Sequence, residues 1–435
     1  MIKEDIEKFV MDHMPFRKWE AGVDWVQYSG TWYDNKEYES IILSLMKGWF
    51  GVGNQAMRFE QEFSRHFNKK HGIFVNSGSS ANLLMLSALK SKNGYNMPLG
   101  TKVICPIAGF PTTINPIYQV GFEPVFVDIE LDSLNIDTTI AHDVVDRNTD
   151  IKAMIFAHAL GNCPDMGKVM EIVKTYDLIF LEDCCDALGS IYNGHQLGSY
   201  GVMASCSFAP AHHISTGVGG MVCANDDKLE KVMRSLASWG RSCFCSGKAS
   251  LLSNGTCGCR FSDWIPDMPN EIFDHKYIYT EIGYNMVPLE LQAAIGRVQL
   301  EKLPEIIKRR NDNYNKLYSI FSNYEDVFHL HKAQKRAFVS WFGFPVTLKD
   351  GVKFKRHELC QYFESKKIQT RPYFAGNLMM QPAYSDKISK SELVKYPVAN
   401  KVMKDTFFLG VSPLVTDEMI DYIGEVLKEF LISKA

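Results

Sequence analysis

The 435-residue chain is 46% hydrophobic and 22% charged, with a formal net charge of −3 at pH 7. These values predict an ordinary globular protein and argue against nucleic acid or an anionic membrane surface as its main partner. No apolar run approaches the ~18 residues that cross a bilayer, and the N-terminus lacks the basic start of a secretory signal. We therefore expect a cytoplasmic protein.

In chain order, amphipathic helical patterns and aromatic loops fill residues 1–70, and short apolar runs then alternate with helical segments. Continuous apolar runs of this kind predict a mostly parallel sheet covered on both faces, with ligands beyond the carboxyl ends of its strands. A Ser-, Gly- and Cys-rich loop at 240–262 precedes a long helical stretch. We predict an N-terminal helical segment (1–70), a large α/β domain (71–300) and a small C-terminal α+β domain (320–435). The apolar runs are "KVICP", "PVFVDI", "AMIFAHAL", "LIFLEDCC", "ASCSF" and "GGMVCA".

Two motifs lie where predicted strands end. "NSGSSAN" (76–82) places Gly78 and Ser79 at a strand-to-helix junction, where free backbone N–H groups bind an anion such as phosphate. A plain helix cap explains this motif equally well. "LIFLEDCC" contains Asp183, which either pairs with the protonated ring nitrogen of a pyridine cofactor or caps the next helix.

Taken together, the motifs resemble the sugar aminotransferases and dehydratases of the DegT/DnrJ/EryC1/StrS family, over nearly the whole chain. The resemblance implies the type I fold of pyridoxal-phosphate-dependent aspartate aminotransferase, with a mostly parallel central sheet in the large domain. The motifs that carry it are "GNQAMRFEQEF", "VNSGSSA", "AGFPTTINPIYQVGFEPVFVDI", "LEDCCDALGS", "SFAPAHHISTGVGGMV" and "GYNMVPLELQAAIGRVQL".

The resemblance also implies roles for individual residues. Gly78, Ser79 and Ser207 are expected to bind the cofactor phosphate. Asp183 is expected to pair with the ring nitrogen, and Phe110 to stack on the cofactor ring.

Two further positions concern the second subunit and the cofactor ring hydroxyl. Asn285, in "GYN", is expected to reach the phosphate from a second subunit, which implies a homodimer with shared active sites. Asp186 lies near the ring hydroxyl, where the aminotransferases of the family usually have glutamine. This departure argues against ordinary transamination.

The segment "SFAPAHHISTGVGG" departs further from the aminotransferases. Five residues after Ser207, where the family carries its Schiff-base lysine, the chain has His212. Imidazole forms no stable imine, so the cofactor is expected to be non-covalent pyridoxamine phosphate, with His212 as the base in a dehydration beside a ketone. A catalytically silent protein that merely binds a ligand is the alternative.

Eleven cysteines in a reducing compartment suggest metal or redox roles for some of them. The chain resembles the family branch of CDP-6-deoxy-L-threo-D-glycero-4-hexulose-3-dehydrases, whose Cys-x57-Cys-x-Cys-x7-Cys motif holds a [2Fe–2S] cluster. Cys185, Cys243 and Cys245 match the first three positions, whereas 11 residues separate Cys245 from Cys257. Cys259 is an alternative fourth ligand. A structural zinc on the four loop cysteines is the competing interpretation.

This branch implies a pyridoxamine-phosphate-dependent C3 dehydratase of a CDP-4-keto-6-deoxyhexose, on the route to the 3,6-dideoxyhexoses of lipopolysaccharide O-antigen. Its [2Fe–2S] cluster is expected to relay electrons from a separate NADH-dependent flavin/iron–sulfur reductase. The alternative is a redox-free 3-deoxygenase, like the GDP-4-keto-6-deoxymannose 3-dehydratases, that regenerates its amine from glutamate and holds structural zinc.

Overall fold

A computed structural model describes residues 2–13, 18–243, 261, 263–265, 267–268 and 271–434. None of the helices within these ranges combines the length and apolar composition needed to span a membrane. The helices are α1 (Ile2–His13), α2 (Asn35–Leu45), α3 (Asn54–Ser64), α4 (Gly78–Lys90), α5 (Pro111–Gln119), α6 (Thr138–Arg147), α7 (Met166–Thr175), α8 (Asp227–Ala237), α9 (Glu290–Phe321), α10 (Arg356–Ser365), α11 (Pro397–Asp405) and α12 (Asp417–Lys434).

The strands form a large sheet, a smaller antiparallel sheet and two minor sheets. They are β1 (His71–Val75), β2 (Lys102–Pro106), β3 (Glu123–Val127), β4 (Ile151–Ala157), β5 (Ile179–Asp183), β6 (Ile191–Tyr192), β7 (His195–Gln196), β8 (Met203–Ser207), β9 (Gly220–Ala224), β10 (Asp263–Trp264), β11 (Ile272–Phe273), β12 (Phe328–Leu330), β13 (Ala337–Phe338), β14 (Gly343–Leu348), β15 (Arg371–Pro372) and β16 (Thr406–Gly410).

The large sheet has seven strands in the order β1-β9-β8-β5-β4-β2-β3. Only β9 runs against the others: it pairs antiparallel with β1 and β8, whereas the remaining pairs are parallel. This confirms the mostly parallel α/β sheet predicted from the apolar runs. Two separate hydrophobic cores lie against it, one including α4, α5 and α8 and the other including α3, α6, α7 and α9. Both faces are covered, which is why these strands lack an alternating polar pattern.

The smaller sheet has the order β12-β14-β16-β15 and is antiparallel throughout. It packs with α10 and α12 around a third core. Helix α9 is 32 residues long and joins the two regions, because Leu303 and Ile306 lie in a core of the large sheet and Leu317 and Phe321 lie in the third core. The two sheets fall within the predicted large and small domains, and the domain boundaries themselves stay a prediction.

The start of α9 also organises the start of α3. The N-cap of α3 is Gly53, which has no side chain to accept hydrogen bonds from the first-turn amides. The carboxylate of Glu290 replaces it, accepting from the N–H groups of Gly53 (2.8 Å), Gln55 (2.6 Å) and Ala56 (3.2 Å). A buried carboxylate at this position satisfies three amides and stabilises the positive end of the helix dipole.

Replacing Glu290 by Gln therefore tests a contact on which the N-terminal helices depend. The amide removes the charge and directs an NH2 group toward backbone donors, so we expect the free energy of unfolding to fall by about 1–3 kcal/mol. Thermal or denaturant melts measure it. Glu301→Gln, an exposed position on the same helix, is the matched control and should change stability little. Equal stability of the two variants would contradict the capping role.

Candidate functional site

A cavity of about 950 Å³ opens at the carboxyl ends of β5 and β8. Residues of the large sheet and its loops form one side, and Phe342, Arg371, Phe374 and Phe408 form the other. No lysine lines it within the described part of the chain. The predicted site residues that do line it are Gly78, Ser79, Phe110, Asp183, Cys185, Asp186, Ser207 and His212.

The predicted phosphate turn forms the N-terminus of α4. Ser77 is the N-cap, and its hydroxyl accepts from the Ser80 N–H at 3.1 Å. Gly78 packs tightly, since a Cβ placed there would lie 2.5 Å from the Ser207 Cβ and 3.0 Å from the Cys185 sulfur. The Ser80 amide is thus capped, whereas the Gly78 and Ser79 amides have no acceptor within the helix, so an anion at the cavity wall could accept from them. The helix-cap interpretation is therefore confirmed, and the anion cradle stays a prediction.

Asp183 is the last residue of β5 and is almost completely buried. Its Oδ2 accepts from Asn82 Nδ2 at 2.7 Å and from the Thr113 hydroxyl at 2.8 Å, and its Oδ1 accepts from the Cys185 N–H at 3.1 Å. These contacts lock the carboxylate beside the cavity. Asp183 is not a helix cap, because the chain continues from it through turns into β6.

Sequence analysis missed Asn82 and Thr113. Asn82 lies one helical turn after Gly78, so the spacing in "NSGSSAN" already put both on one face of α4. Thr113 lies in the first turn of α5, directly after the Phe110 loop. The available signal in the sequence was a polar residue near the start of each of the helices α4 and α5, on the side that faces the sheet.

His212 and Asp186 form a pair in the wall of the cavity. His212 Nδ1 lies 3.5 Å from Asp186 Oδ1, and Asp186 Oδ2 accepts from the Leu160 N–H at 3.2 Å. Burial lowers the pKa of His212 to about 4. Burial, together with the nearby Asp183, raises the pKa of Asp186 to about 7. At neutral pH the imidazole is therefore uncharged and the carboxyl group is near its midpoint, and His212 Nδ1 has no hydrogen-bond partner among the described residues.

The loop that carries His212 is held by Arg310, a residue of α9 that sequence analysis did not identify. The guanidinium is fully buried and donates to the carbonyls of His212 (2.9 Å) and Ala211 (3.4 Å) from Nη2. Nη1 donates to the carbonyls of Phe342 (3.0 Å) and Trp341 (3.4 Å). Burial lowers the pKa of Arg310 to about 10. One side chain thus fixes the backbone on two sides of the cavity.

His213 points away from this pair. It is buried, and its Nε2 lies 3.0 Å from the Ser340 carbonyl oxygen. Phe110, at the N-cap of α5, is half exposed in the cavity wall, with its ring centroid 6.2 Å from that of Phe374. It is available to stack on a flat ligand.

The structure does not bring all predicted cluster ligands together. Cys185 lies in the cavity wall, and burial beside Asp183 raises the pKa of its thiol. Cys243 is outside the cavity lining and beside Met286 and Pro288. Cys245, Cys257 and the alternative Cys259 lie outside the described residues. The iron–sulfur cluster therefore stays a prediction.

Asn285 likewise lies outside the cavity lining. Its Oδ1 accepts from the Val287 N–H at 3.4 Å, and its backbone pairs with Ser238. Its predicted contact with a cofactor across a dimer interface remains untested.

The seven-stranded, mostly parallel sheet and the smaller antiparallel sheet form the fold of the pyridoxal-phosphate-dependent sugar aminotransferases and dehydratases. The chain belongs to the DegT/DnrJ/EryC1/StrS aminotransferase family, which matches residues 33–428. The resemblance inferred from the motifs is therefore confirmed at the level of the family and the fold.

Three relatives show which members of the family this chain is similar to over nearly its whole length. The chain is 36% identical over 437 residues to the lipopolysaccharide biosynthesis protein RfbH of Salmonella typhimurium, covering 99% of this chain and 97% of that protein. It is 37% identical over 419 residues to a dTDP-4-dehydro-2,6-dideoxy-D-glucose 3-dehydratase of Saccharopolyspora spinosa, covering 94% and 87%. It is 30% identical over 402 residues to a GDP-4-keto-6-deoxy-D-mannose 3-dehydratase of Escherichia coli O55:H7, covering 92% and 98%.

The solved structures agree with the sequence relatives. The Escherichia coli GDP-4-keto-6-deoxy-D-mannose-3-dehydratase with bound hydrated PLP superposes with a TM-score of 0.78 at 28% identity, covering 93% of this chain and all of that one. A structure of GDP-4-keto-6-deoxymannose-3-dehydratase with a trapped PLP–glutamate geminal diamine has a TM-score of 0.78 at 28% identity, covering 92% and 99%. Dehydratases of nucleotide-linked ketosugars thus recur among the relatives.

The His212–Asp186 pair predicts an unusual pH dependence of stability. The unfolded chain binds a proton at His212 between about pH 4 and 6.5 that the folded state lacks, so this residue makes stability rise with pH. The folded chain keeps a proton on Asp186 between about pH 4 and 7 that the unfolded state releases, so this residue makes stability fall with pH.

In the wild type, the contributions of His212 and Asp186 to the pH dependence of stability have opposite signs and offset each other. In a variant that lacks one of the two groups, only the contribution of the other remains. Relative to wild type, we expect Asp186→Asn to gain stability and His212→Asn to lose it as pH rises from 4.5 to 6.5. Each slope approaches about 1.4 kcal/mol per pH unit at most. Melting curves at a series of pH values measure them, with the exposed Asp143→Asn as control. Slopes of the same sign would contradict the assignment.

Proposed function

We propose that this chain is a pyridoxamine-phosphate-dependent 3-dehydratase of a nucleotide-linked 4-keto-6-deoxyhexose. The observation that carries the proposal is His212 in a cavity without a lysine among its described lining residues. An aminotransferase needs a lysine amine to release its cofactor from the product, and an imidazole cannot replace it. This chain keeps the Asp183 carboxylate, the Phe110 ring and the turn at the start of α4 but has no lysine amine at position 212. Such a site is suited to dehydration.

Three features of the cavity support binding of the cofactor. Gly78, Ser79 and Ser207 border an anion cradle that a side chain at Gly78 would fill. Asp183 offers a fixed carboxylate for the ring nitrogen, with three donors holding its orientation. Phe110 offers a ring face. When bound, pyridoxamine phosphate supplies an amine that condenses with a ketone and a ring that accepts electrons.

His212 and Asp186 handle the protons in this proposal. The uncharged imidazole has one ring nitrogen free to accept a proton, and Asp186 Oδ1, 3.5 Å from Nδ1, stabilises the imidazolium that forms. The protonated pair then has a proton to return to the departing hydroxyl, which leaves as water. Arg310 keeps the His212 backbone in place during both transfers.

We further propose that Cys185, Cys243, Cys245 and Cys257 hold a [2Fe–2S] cluster. Such a cluster passes single electrons, and two electrons are needed to complete the 3-deoxygenation after water is lost. Their source is a separate NADH-dependent flavin/iron–sulfur reductase. Support comes from the spacing of the first three cysteines and from Cys185, which lies two residues from Asp183 in the same cavity wall.

The sugar nucleotide and pathway rest on relatives. RfbH, named for lipopolysaccharide biosynthesis, favours a role in the 3,6-dideoxyhexoses of O-antigen. CDP is the proposed nucleotide from the branch resemblance, whereas other relatives are named for dTDP and GDP substrates. Presenting all three nucleotide forms of the 4-ketosugar to the enzyme decides among them. A cytoplasmic homodimer, with Asn285 reaching the partner's phosphate site, completes the proposal.

A redox-free 3-deoxygenase is the second candidate. The structural similarity to a dehydratase trapped with glutamate favours it, because glutamate is the amine donor that such an enzyme uses. In that case the loop cysteines hold zinc. Rapid conversion of pyridoxal phosphate to the amine form by glutamate would support this candidate over the iron–sulfur enzyme.

Replacing His212 by Asn tests the proposed base. With pyridoxamine phosphate and the CDP-4-keto-6-deoxyhexose, wild type should exchange the C4′ proton with solvent and remove the C3 hydroxyl. The variant should lose both by about 100-fold or more, because general base catalysis is typically worth that much, yet still bind the cofactor. Isotope exchange followed by NMR measures the first step. His142→Asn, an exposed histidine, is the control. Exchange retained in the His212 variant would identify another base.

The visible and EPR spectra with a metal count test the cluster. Protein purified without oxygen should be brown, contain about two irons per chain as a [2Fe–2S] cluster requires, and give an EPR signal on one-electron reduction. Cys185→Ser should lose iron, whereas Cys360→Ser, at a cysteine outside the motif, should not. A colourless protein with stoichiometric zinc would contradict the cluster.

A further inference from the structure

Arg371 is the only Lys or Arg side chain among the described residues that line the active-site cavity. The other charged groups there are Asp183 and Asp186, and both lie on the large-sheet side. Arg371 belongs to β15 in the smaller sheet. The cavity therefore has acidic groups in one wall and a single cation in the other.

The guanidinium is rigidly placed. Its Cζ lies 4.1 Å from the centroid of the Tyr28 ring, and Nη1 donates to the Thr370 carbonyl at 2.7 Å. Tyr28 is itself held because its N–H donates to Gln369 Oε1 at 3.2 Å. Among the described residues, the remaining guanidinium nitrogens have no hydrogen-bond partner, so they are free to donate to a ligand.

A continuous aromatic wall separates Arg371 from His212. Ring centroids lie 5.3 Å apart for His212 and Phe342, 6.0 Å for Phe342 and Phe408, and 6.2 Å for Phe408 and Tyr28. Arg371 pairs across the sheet with Phe408. A ligand that reacts beside His212 can thus extend along apolar rings and reach the guanidinium with its far end.

We propose that Arg371 binds the diphosphate of the nucleotide-linked substrate. This inference rests on the function proposed above, in which the reacting carbonyl of the sugar lies near His212. The diphosphate is attached at the opposite end of the sugar ring from the reacting carbonyl. It therefore needs an anion site away from the cofactor phosphate cradle at Gly78. A guanidinium with free donors matches a diphosphate because it forms paired, charge-assisted hydrogen bonds.

Calorimetry on the full-length protein loaded with pyridoxamine phosphate tests the assignment, with CDP, dTDP and GDP as probes. Wild type will bind one of the three nucleoside diphosphates most tightly. Arg371→Met should raise the Kd for that nucleoside diphosphate by roughly tenfold to a hundredfold. Arg371→Lys keeps the positive charge but loses the paired N–H donors of the planar guanidinium. It should therefore weaken binding of the diphosphate less than Arg371→Met does. Binding of the corresponding nucleoside and retention of the cofactor should not change. Arg147→Met, at an exposed position on α6, is the control and should bind like wild type.

The outcomes separate this inference from the proposed function. Diphosphate affinity that stays within twofold of wild type in Arg371→Met, with dehydration intact, overturns the role of Arg371 alone. Loss of glutamate binding in that variant without loss of diphosphate binding also overturns it, because the arginine would then serve a carboxylate. Failure of wild type to bind any of the three diphosphates overturns both proposals. A rise in KM for the sugar nucleotide at nearly constant kcat supports the assignment.

Discussion

The Asp183 carboxylate, fixed by hydrogen bonds from three separate segments, is the constraint around which the site is arranged. Three groups donate hydrogen bonds to this carboxylate: the Asn82 side chain of α4, the Thr113 hydroxyl of α5 and the backbone amide of Cys185 in the loop after β5. The N-terminus of α4, the Phe110 ring and Cys185 are thereby held at defined positions beside one buried charge. Removing any donor would leave a buried carboxylate oxygen with fewer partners, which is costly at low dielectric.

The same low dielectric shifts the pKa values of Asp186 and His212. Asp186 lies close to the charge of Asp183, and burial already disfavours a second negative charge there. His212 cannot readily become positive in the same surroundings, where Arg310 is also buried. Two groups that would form an ordinary ion pair in water are each shifted toward their neutral forms. His212 is thereby kept in the uncharged form that can accept a proton.

The sequence predicted the positions that depend on strand ends and missed those that depend on long-range packing. Gly78 and Asp183 could be placed at the cavity because parallel strands bring their carboxyl ends, and the turns beyond them, to one edge of the sheet, whereas Ser207 followed from the family resemblance. Asn82 and Thr113 contact Asp183 from 101 and 70 residues away, and no local pattern encodes such a pairing. Arg310, 98 residues from His212, looks in sequence like one of several cations on a long helix. The cysteine motif was visible in the sequence, but its third and fourth thiols lie outside the described residues.

Arg310 contacts the His212 loop only through main-chain oxygens. The path of that loop is therefore set independently of the side chain at position 212, and an amine or an imidazole can stand on the same backbone. Exchange of the side chain at position 212 would then require little remodelling of the surrounding protein. The backbone geometry that a different side chain at this position needs is therefore already in place.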